Sequence, residues 1–204
     1  MNKELRLFIE QVIKNELEEK AVPHDEAVTS GLALYITDVE GITTIILYNP
    51  KLLNSEELIY GMIEMEESFK CNAWKIVTSS AKKGYGPMMY DIAFSFAGNK
   101  GLMSDRSSVS SLARNVWNYN FTTRKDDFSI VPLEQNCKFA GRDSIPSLNH
   151  KYILKNPINF QALVDSHHHF LNTFRKREQQ DVIHQIEDKA DAFFKTKFRG
   201  RDVL

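Results

Sequence analysis

Apolar and polar positions alternate along the chain with two distinct periods. Residues 2–20 place Leu5, Phe8, Ile9, Val12, Ile13 and Leu17 at helical spacing, with lysines and glutamates on the other face and Pro23 as a stop. Residues 31–38 (GLALYITD) and 42–48 (ITTIILY) are rich in β-branched and aromatic side chains, and the connection through Glu40-Gly41 predicts a β-hairpin. Asn49-Pro50 ends the second strand. From Ser55-Glu56-Glu57 the pattern reads as another helix, capped by Asn54 or Ser55, with Leu58, Ile59, Met62 and Ile63 on its inner side. Residues 73–79 (AWKIVTS) predict a compact strand. A basic turn follows, Lys82-Lys83-Gly84-Tyr85-Gly86, and Pro87 then opens an apolar helix through Met88, Met89, Ile92, Ala93, Phe94 and Phe96 to Gly98.

After Gly101-Leu102-Met103, a further helix is predicted through Val109, Leu112, Ala113, Val116 and Trp117 to about Asn120, with Ser107 or Ser108 as its cap. Phe128–Leu133 reads as a strand, and Lys138–Asn156 as loop with Gly141, Pro146 and Asn149. Two amphipathic helices close the chain. The first carries Phe160, Leu163, Val164, His167, Leu171 and Phe174, and the second Val182, Ile183, Ile186, Ala190, Phe193 and Phe194. Strands interleaved with helices make the fold α/β or α+β. No repeat or low-complexity linker separates the parts, so the tail is expected to pack on the domain.

Composition narrows the function classes. In 204 residues, 26 basic and 27 acidic side chains leave a formal net charge of −1. That balance excludes a polycation that holds nucleic acid by bulk charge, while a local basic patch stays open. No apolar run approaches the ~20 residues of a membrane span, and the N-terminus lacks an apolar signal core. The expectation is a soluble cytoplasmic protein without membrane association. Cys71 and Cys137 are too few and too far apart for a disulfide framework or a thiolate metal site.

A strand that runs through a glycine-bearing turn into a helix N-terminus holds phosphate for a physical reason. The first helical N–H groups have no intrahelical partner, and the helix dipole adds partial positive charge there. Gly84 and Gly86 allow close backbone approach, and Lys82 and Lys83 add charge. The spacing has neither the terminal Gly-Lys-Ser/Thr of a P-loop nor the third glycine of a dinucleotide fingerprint. Taken by itself the motif also fits a tight strand–helix turn with solvated lysines.

The run Ala81–Tyr90 resembles the Arg/Gln-x-x-Gly-x-Gly/Ala acyl-CoA motif of the GNAT superfamily of N-acetyltransferases. Lys83, or Ala81 by strict spacing, stands where that family keeps Arg or Gln. Downstream, Ser110–Phe121 is similar to the family's second signature, an Asn-x-x-Ala helix running into Leu-Tyr and ending at Gly-Phe. Ala113, Val116, Trp117 and Phe121 fall close to the expected places, with Asn120 for the glycine, a residue that also tolerates a left-handed cap. The order of elements matches over roughly residues 30–135. Gly101–Trp117, with its aromatic, Asp-Arg and Trp arrangement, further resembles GNAT-like proteins encoded by tailed phages.

The resemblance implies a GNAT-like mixed central sheet flanked by helices. It would comprise an acyl-CoA-binding domain over 1–135, including the N-terminal helix, and a loop and helical C-terminal extension over 136–204. It implies that Lys82, Lys83, Gly84, Tyr85, Gly86, Pro87 and Met88 cradle the pyrophosphate of acetyl-CoA. The strand Ala73–Ser79, including Val77 and Thr78, would pair with the pantetheine arm through backbone groups. The activity would be acetyl transfer to an amine of a protein, a metabolite or a modified nucleobase, in the host cytoplasm if the protein is phage-encoded. The family's thiolate-protonating tyrosine is replaced by Trp117, whose indole does not titrate usefully, so Tyr119 or Tyr90 is the candidate donor. That replacement supports the alternative of a catalytically silent GNAT-like protein serving phage assembly or host interaction.

Other candidates have both a functional and a structural reading. Asp105 is a possible base and Arg106 an anion holder, or the two are a cap and a bridging cation. Asp91 sits one turn into its helix, where an acid is favoured in any case. Glu64 and Glu66 offer a carboxylate to deprotonate an amine, or form a solvated face. His167-His168-His169 cannot converge on one ion from consecutive helical positions, and Asp165/His169 alone is a weak pair, so no metal is expected. His167 lies on the apolar stripe. Phe193, Phe194 and Phe198 with Lys195, Lys197, Arg199 and Arg201 resemble a nucleic-acid or partner-docking surface, or else pack inward and leave their charges solvated. Nucleic acid is therefore a possible but unfavoured partner.

Overall fold

A computed structural model of the chain describes residues 24–141 and 144–199. The helix expected over residues 2–20 and its stop at Pro23 lie outside the described residues. Five α-helices are described: α1 (His24–Thr29), α2 (Gly86–Ala97), α3 (Ser111–Thr122), α4 (Gln161–Leu171) and α5 (Lys176–Arg199). The strands are β1 (Ala33–Val39), β2 (Ile42–Tyr48), β3 (Ile59–Ser68), β4 (Ala73–Ala81), β5 (Leu102–Met103), β6 (Phe128–Pro132) and β7 (His150–Leu154). They form one sheet in the order β1-β2-β3-β4-β5-β7-β6, mostly antiparallel, with β4 and β5 parallel. The mixed α/β class expected from the residue pattern is thus the observed one.

The described chain divides into two compact units interleaved along the sequence, one of residues 65–77 and 90–158 and the other of 24–64, 78–89 and 159–199. In the second of these, β1 and β2 pair from Ala33↔Tyr48 to Val39↔Ile42. Glu40 and Gly41 both take positive φ at the tip (54° and 82°), which is the turn a two-residue hairpin requires. Ala33, Ile46, Tyr48, Leu58, Ile59 and Met62 bury against Leu171 of α4 and Val182, Ile186 and Ala190 of α5. This core holds His167, 4% exposed, whose Nδ1 lies 2.8 Å from the Tyr48 hydroxyl while its ring stacks on Tyr35 at 4.9 Å. The histidine on the apolar stripe is a packed core residue.

Burial, with the neighbouring His168, lowers the His167 pKa to about 4. An unfolded chain binds that proton near pH 6.5, so the neutral imidazole contributes stability that is complete above pH 6.5 and lost as pH falls toward 4. Across that window the loss from this group is expected to reach about 3 kcal/mol. Urea unfolding at pH 7 and pH 4.5 checks it, because His167→Gln should show a flatter pH dependence than the parent. An equal slope in both would remove His167 as the cause.

The segment read as a helix from Ser55 is instead a turn followed by β3. Leu58, Ile59, Met62, Ile63 and Met65 are all buried, so they mimic helical spacing while filling both faces of an internal strand. Two further strands fall where a connection or loop was expected, β5 at Leu102–Met103 and β7 at His150–Leu154. The last helix before β6 starts at Ser111 rather than Ser107, with the Ser110 hydroxyl accepting from Ala113 N–H at 3.2 Å. Asn120 is buried inside α3, which runs on to Thr122. Asn72, not Asn120, takes the left-handed conformation (φ 45°).

The chain passes through α2 between β4 and β5, the connection that a parallel pair requires. In the first unit Trp117, 1% exposed, packs with its ring centroid 5.9 Å from Tyr90, 5.9 Å from Phe94 and 5.2 Å from Tyr152. Cys71 and Cys137 form a disulfide across 66 residues, with Cα atoms 5.7 Å apart. Their separation in sequence argued against a bridge, but the fold brings both against Ala73, Met103 and Leu133. Sequence distance carries no information about that proximity.

Candidate functional site: the turn between strand β4 and helix α2

The expected strand–turn–helix unit is formed, with β4 leading through residues 82–85 into α2. Lys82 N–H donates to Tyr60 O at 2.8 Å, and Tyr85 N–H donates to Lys82 O at 3.1 Å. Gly84 takes φ +90°, a conformation that L side chains rarely adopt. Gly86 has a different use. A Cβ there would meet nothing within 4 Å among the described residues, so none of them requires a glycine at the first residue of α2. Of the first helical N–H groups, Pro87 has none to offer and Met89 donates to Tyr85 O at 3.0 Å. Gly86 and Met88 N–H take no partner among the described residues. Met88 as a whole residue is 4% exposed.

The two lysines differ. Lys83 is exposed. Lys82 donates its ammonium to Glu57 O at 2.7 Å and places it 4.0 Å from the centroid of the Tyr60 ring. Burial pulls the Lys82 pKa down against the attraction of Glu57. Tyr60 meets Tyr85 edge to face at 4.9 Å, and the Tyr85 hydroxyl is pushed up by burial and by Tyr60 and Glu26. Tyr60 was invisible as a site residue because its place depends on β3 lying beside β4, a non-local pairing. Val77, 39% exposed, and Thr78 lie in β4, which runs on to Ala81 although its ladder with β5 ends at Lys75↔Met103.

The candidate catalytic residues are placed as follows. Glu64 is half-buried in β3, and burial together with Asp191 raises its carboxyl pKa. Glu66 pairs with Lys75 at 2.6 Å. Tyr119 is half-buried in α3, whereas Tyr90 and Trp117 belong to the aromatic core. Asp105 Oδ1 accepts from Ser107 N–H (2.6 Å), Ser107 Oγ (2.7 Å) and Ser108 N–H (2.9 Å). Burial opposes its charge, but these bonds and Lys75 hold its pKa below the usual value, which makes it a brace of the loop before α3 and a poor base.

Arg106 donates to Ser104 O at 2.9 Å, to Cys137 O at 3.1 Å, to Leu148 O at 2.8 Å and to Ser104 Oγ. Burial lowers its pKa to about 10. It ties three loop segments together. Asp91 pairs with Arg124 at 2.8 Å, and burial still leaves its pKa raised.

Phe193 and Phe194 pack against the core under α5, and Lys195 faces Asp191 at 3.8 Å. Arg201, and the side chains of Lys197, Phe198 and Arg199, lie outside the described residues. Among the described residues no group of three His, Cys, Asp or Glu side chains could hold a metal ion. Among them, too, no helix is long and apolar enough to cross a membrane. No protein-family model, curated protein or solved structure matches the chain.

Proposed function

We propose that this protein binds acetyl-CoA at the turn of residues 82–88 and transfers its acetyl group to an amine. The observation that carries the reading is Gly86, a glycine with open space among the described residues where a Cβ would stand, beside its own N–H, unpartnered among those residues, and the exposed Lys83. Such a turn offers hydrogen-bond donors, partial positive charge and close approach to a pyrophosphate. The extension of β4 beyond its pairing with β5 supports a place for the pantetheine arm at Val77 and Thr78. The sequence resemblance to GNAT acetyltransferases spans the same residues.

In the reaction the amine nitrogen bonds to the thioester carbonyl carbon, the C–S bond breaks, and the departing thiolate takes a proton. Glu64, its carboxyl pKa already raised, is the base that removes the amine proton. The amine belongs to a protein, a metabolite or a modified nucleobase.

A second reading rests on Trp117. Buried among Tyr90, Phe94 and Tyr152, it leaves no titrating group at the position where the resembled family keeps its tyrosine. A catalytically silent GNAT-like protein used in assembly or host interaction, including one from a phage, accommodates that change. Isothermal titration with acetyl-CoA tests both. The parent is expected to bind, and Gly86→Trp to weaken binding at least about tenfold by filling the space at the start of α2. A parent that does not bind overturns the acetyltransferase reading and leaves the second. Binding without thioester turnover on mixed amines selects the second.

A further inference from the structure

The Cys71–Cys137 bridge joins two turns that do not depend on it for their shape. On one side, Phe69–Cys71 is a single 3-10 turn between β3 and β4, with Phe69 and Lys70 exposed. Asn72 N–H closes it on Phe69 O at 3.3 Å, the Lys151 ammonium donates to Asn72 O at 2.8 Å, and Trp74 N–H donates to Gly101 O at 2.9 Å. On the other side, Gln135–Cys137 is a second such turn, closed by Cys137 N–H on Glu134 O at 2.9 Å. Arg106 holds Cys137 O at 3.1 Å, and the N–H groups of Phe139 and Ala140 donate to Asn149 Oδ1 and Arg106 O, each at 2.9 Å. Opening the bridge therefore removes none of the bonds that place either cysteine, and in the folded chain the two sulfurs stay close enough to rejoin.

The two cysteines differ in access. Cys71 is half-buried between the exposed Lys70 and Asn72, whereas Cys137 is 2% exposed. A thiolate arriving from solvent meets the sulfur of Cys71, which makes Cys137 the leaving group. The departing thiolate forms among Ala73, Met103 and Leu133, apolar surroundings in which a bare charge is costly. Arg106, bound to the carbonyl of the same residue, supplies the cation that offsets it. Outside, Lys70 directly precedes Cys71 and Lys138 directly follows Cys137, both exposed. The 5.7 Å between the cysteine Cα atoms keeps the Cα atoms of these lysines within ~13 Å of each other. Exposed Glu134 offsets part of their charge, while Glu66 and Glu67 are already paired with Lys75 and Lys100. The pair of lysines favours an approaching anion.

We propose that this bridge is a thiol-exchange site for a small anionic monothiol of the glutathione class, which attaches to Cys71, with Cys137 as the resolving thiol. The proposal does not rest on the acyl-CoA reading. In the forward step the small thiolate bonds to Cys71 Sγ, the bond between the two cysteines breaks, and its electron pair leaves with Cys137 Sγ, which takes a proton from water. In the return step the Cys137 thiolate attacks Cys71 Sγ, re-forms the bridge and expels the small thiol. A second molecule of the thiol attacking the mixed disulfide instead completes reduction, leaving Cys71 as a thiol and the two small thiols joined by their own disulfide.

Incubation of the oxidised protein with reduced glutathione, followed by acid quenching, alkylation in denaturant and peptide mass mapping, tests the site. The adduct is expected on Cys71 over Cys137 by at least about tenfold, at a rate proportional to glutathione. An adduct chiefly on Cys137, or an even split, overturns the assignment. A rate that does not depend on glutathione and equals the rate of global unfolding overturns the site, since a purely structural cross-link opens only when the chain does. With glutathione disulfide as the probe, reduced parent should carry the adduct transiently, and Cys137→Ser should retain it on Cys71. Should the serine variant fail to fold, the parent kinetics still decide. Lys70→Gln/Lys138→Gln is expected to slow opening by glutathione severalfold but not by uncharged 2-mercaptoethanol. Equal slowing with both thiols, or none with either, overturns the choice of an anionic thiol.

Discussion

Loss of the Cys71–Cys137 disulfide is expected to lower the stability of the protein by about 4 kcal/mol. The bridge closes a loop of 66 residues, which restricts the unfolded chain far more than the folded one, and the entropy of closing a loop grows with its length. In the folded state Cys137 is 2% exposed and packs with Ala73, Met103 and Leu133, so reduction also leaves two thiols to be accommodated in a tight cluster. Arg106 depends on the same place, since one of its N–H groups bonds to Cys137 O. Thermal melts with and without a dithiol reductant measure the effect, and a drop of ~10 °C is expected for a chain of this size. The Cys71→Ser/Cys137→Ser double variant should melt near the reduced parent. A change below ~1 kcal/mol in both arms would mean that the bridge does not constrain the unfolded ensemble as its length requires. Because disulfides persist in oxidising surroundings and are rare in reducing ones, the protein's stability follows the redox state around it.

Trp117→Ala is expected to destabilise by about 4 kcal/mol, within the range seen when a large aromatic is removed from a packed core. Trp117 is 1% exposed and has Tyr90, Phe94 and Tyr152 around it, two of them edge to face. Such ring pairs add to the loss of buried area. A cavity there is shared by α2, α3 and β7, all built on side chains that reach the same point, so it cannot close by a small shift of one helix. Urea unfolding followed by circular dichroism gives the number, and a cost below ~1 kcal/mol would show that the cluster is not close-packed. The same burial bears on function. Trp117→Tyr, which restores the residue of the resembled family, would place its hydroxyl in this aromatic core, and no gain in thioester turnover is expected from it.

Local signals in the sequence carried the β1–β2 hairpin, the β4–turn–α2 unit, β6, α4 and α5, because each rests on near neighbours. Glu40-Gly41 selects its own turn, Pro87 opens its own helix, and the apolar stripes of α4 and α5 have one helical period. What was not legible depended on distant partners. β3 is covered on both faces, so Leu58, Ile59, Met62 and Ile63 show a run of apolar residues that fits a helix as well as a strand. β5 is two residues long and β7 lies among loop-forming residues, so neither has a pattern apart from the sheet that holds it. The disulfide follows the same rule. At the site, the glycines and lysines were visible, but Tyr60 and Glu57 were not, and with them went the difference between Lys82 and Lys83. Asp105 and Arg106 were visible as adjacent charges, yet only their partners show them to be a loop brace and a loop tie.

The shortness of β5 carries a consequence for the order of folding. Its ladder with β4 has two pairs and its ladder with β7 has one, whereas β6 and β7 share five. The β1–β2 and β3–β4 connections are short and local, so those hairpins close early. β5 gains its few bonds only after the α2 crossover and β7 have both arrived, and each arrival requires a long loop to close first. In a refolding time course, the amides of Trp74, Leu102 and Met103 should therefore be the last in the sheet to gain protection from exchange, and oxidation of Cys71 with Cys137 should follow that step, as a covalent lock placed on a seam that hydrogen bonds alone hold weakly.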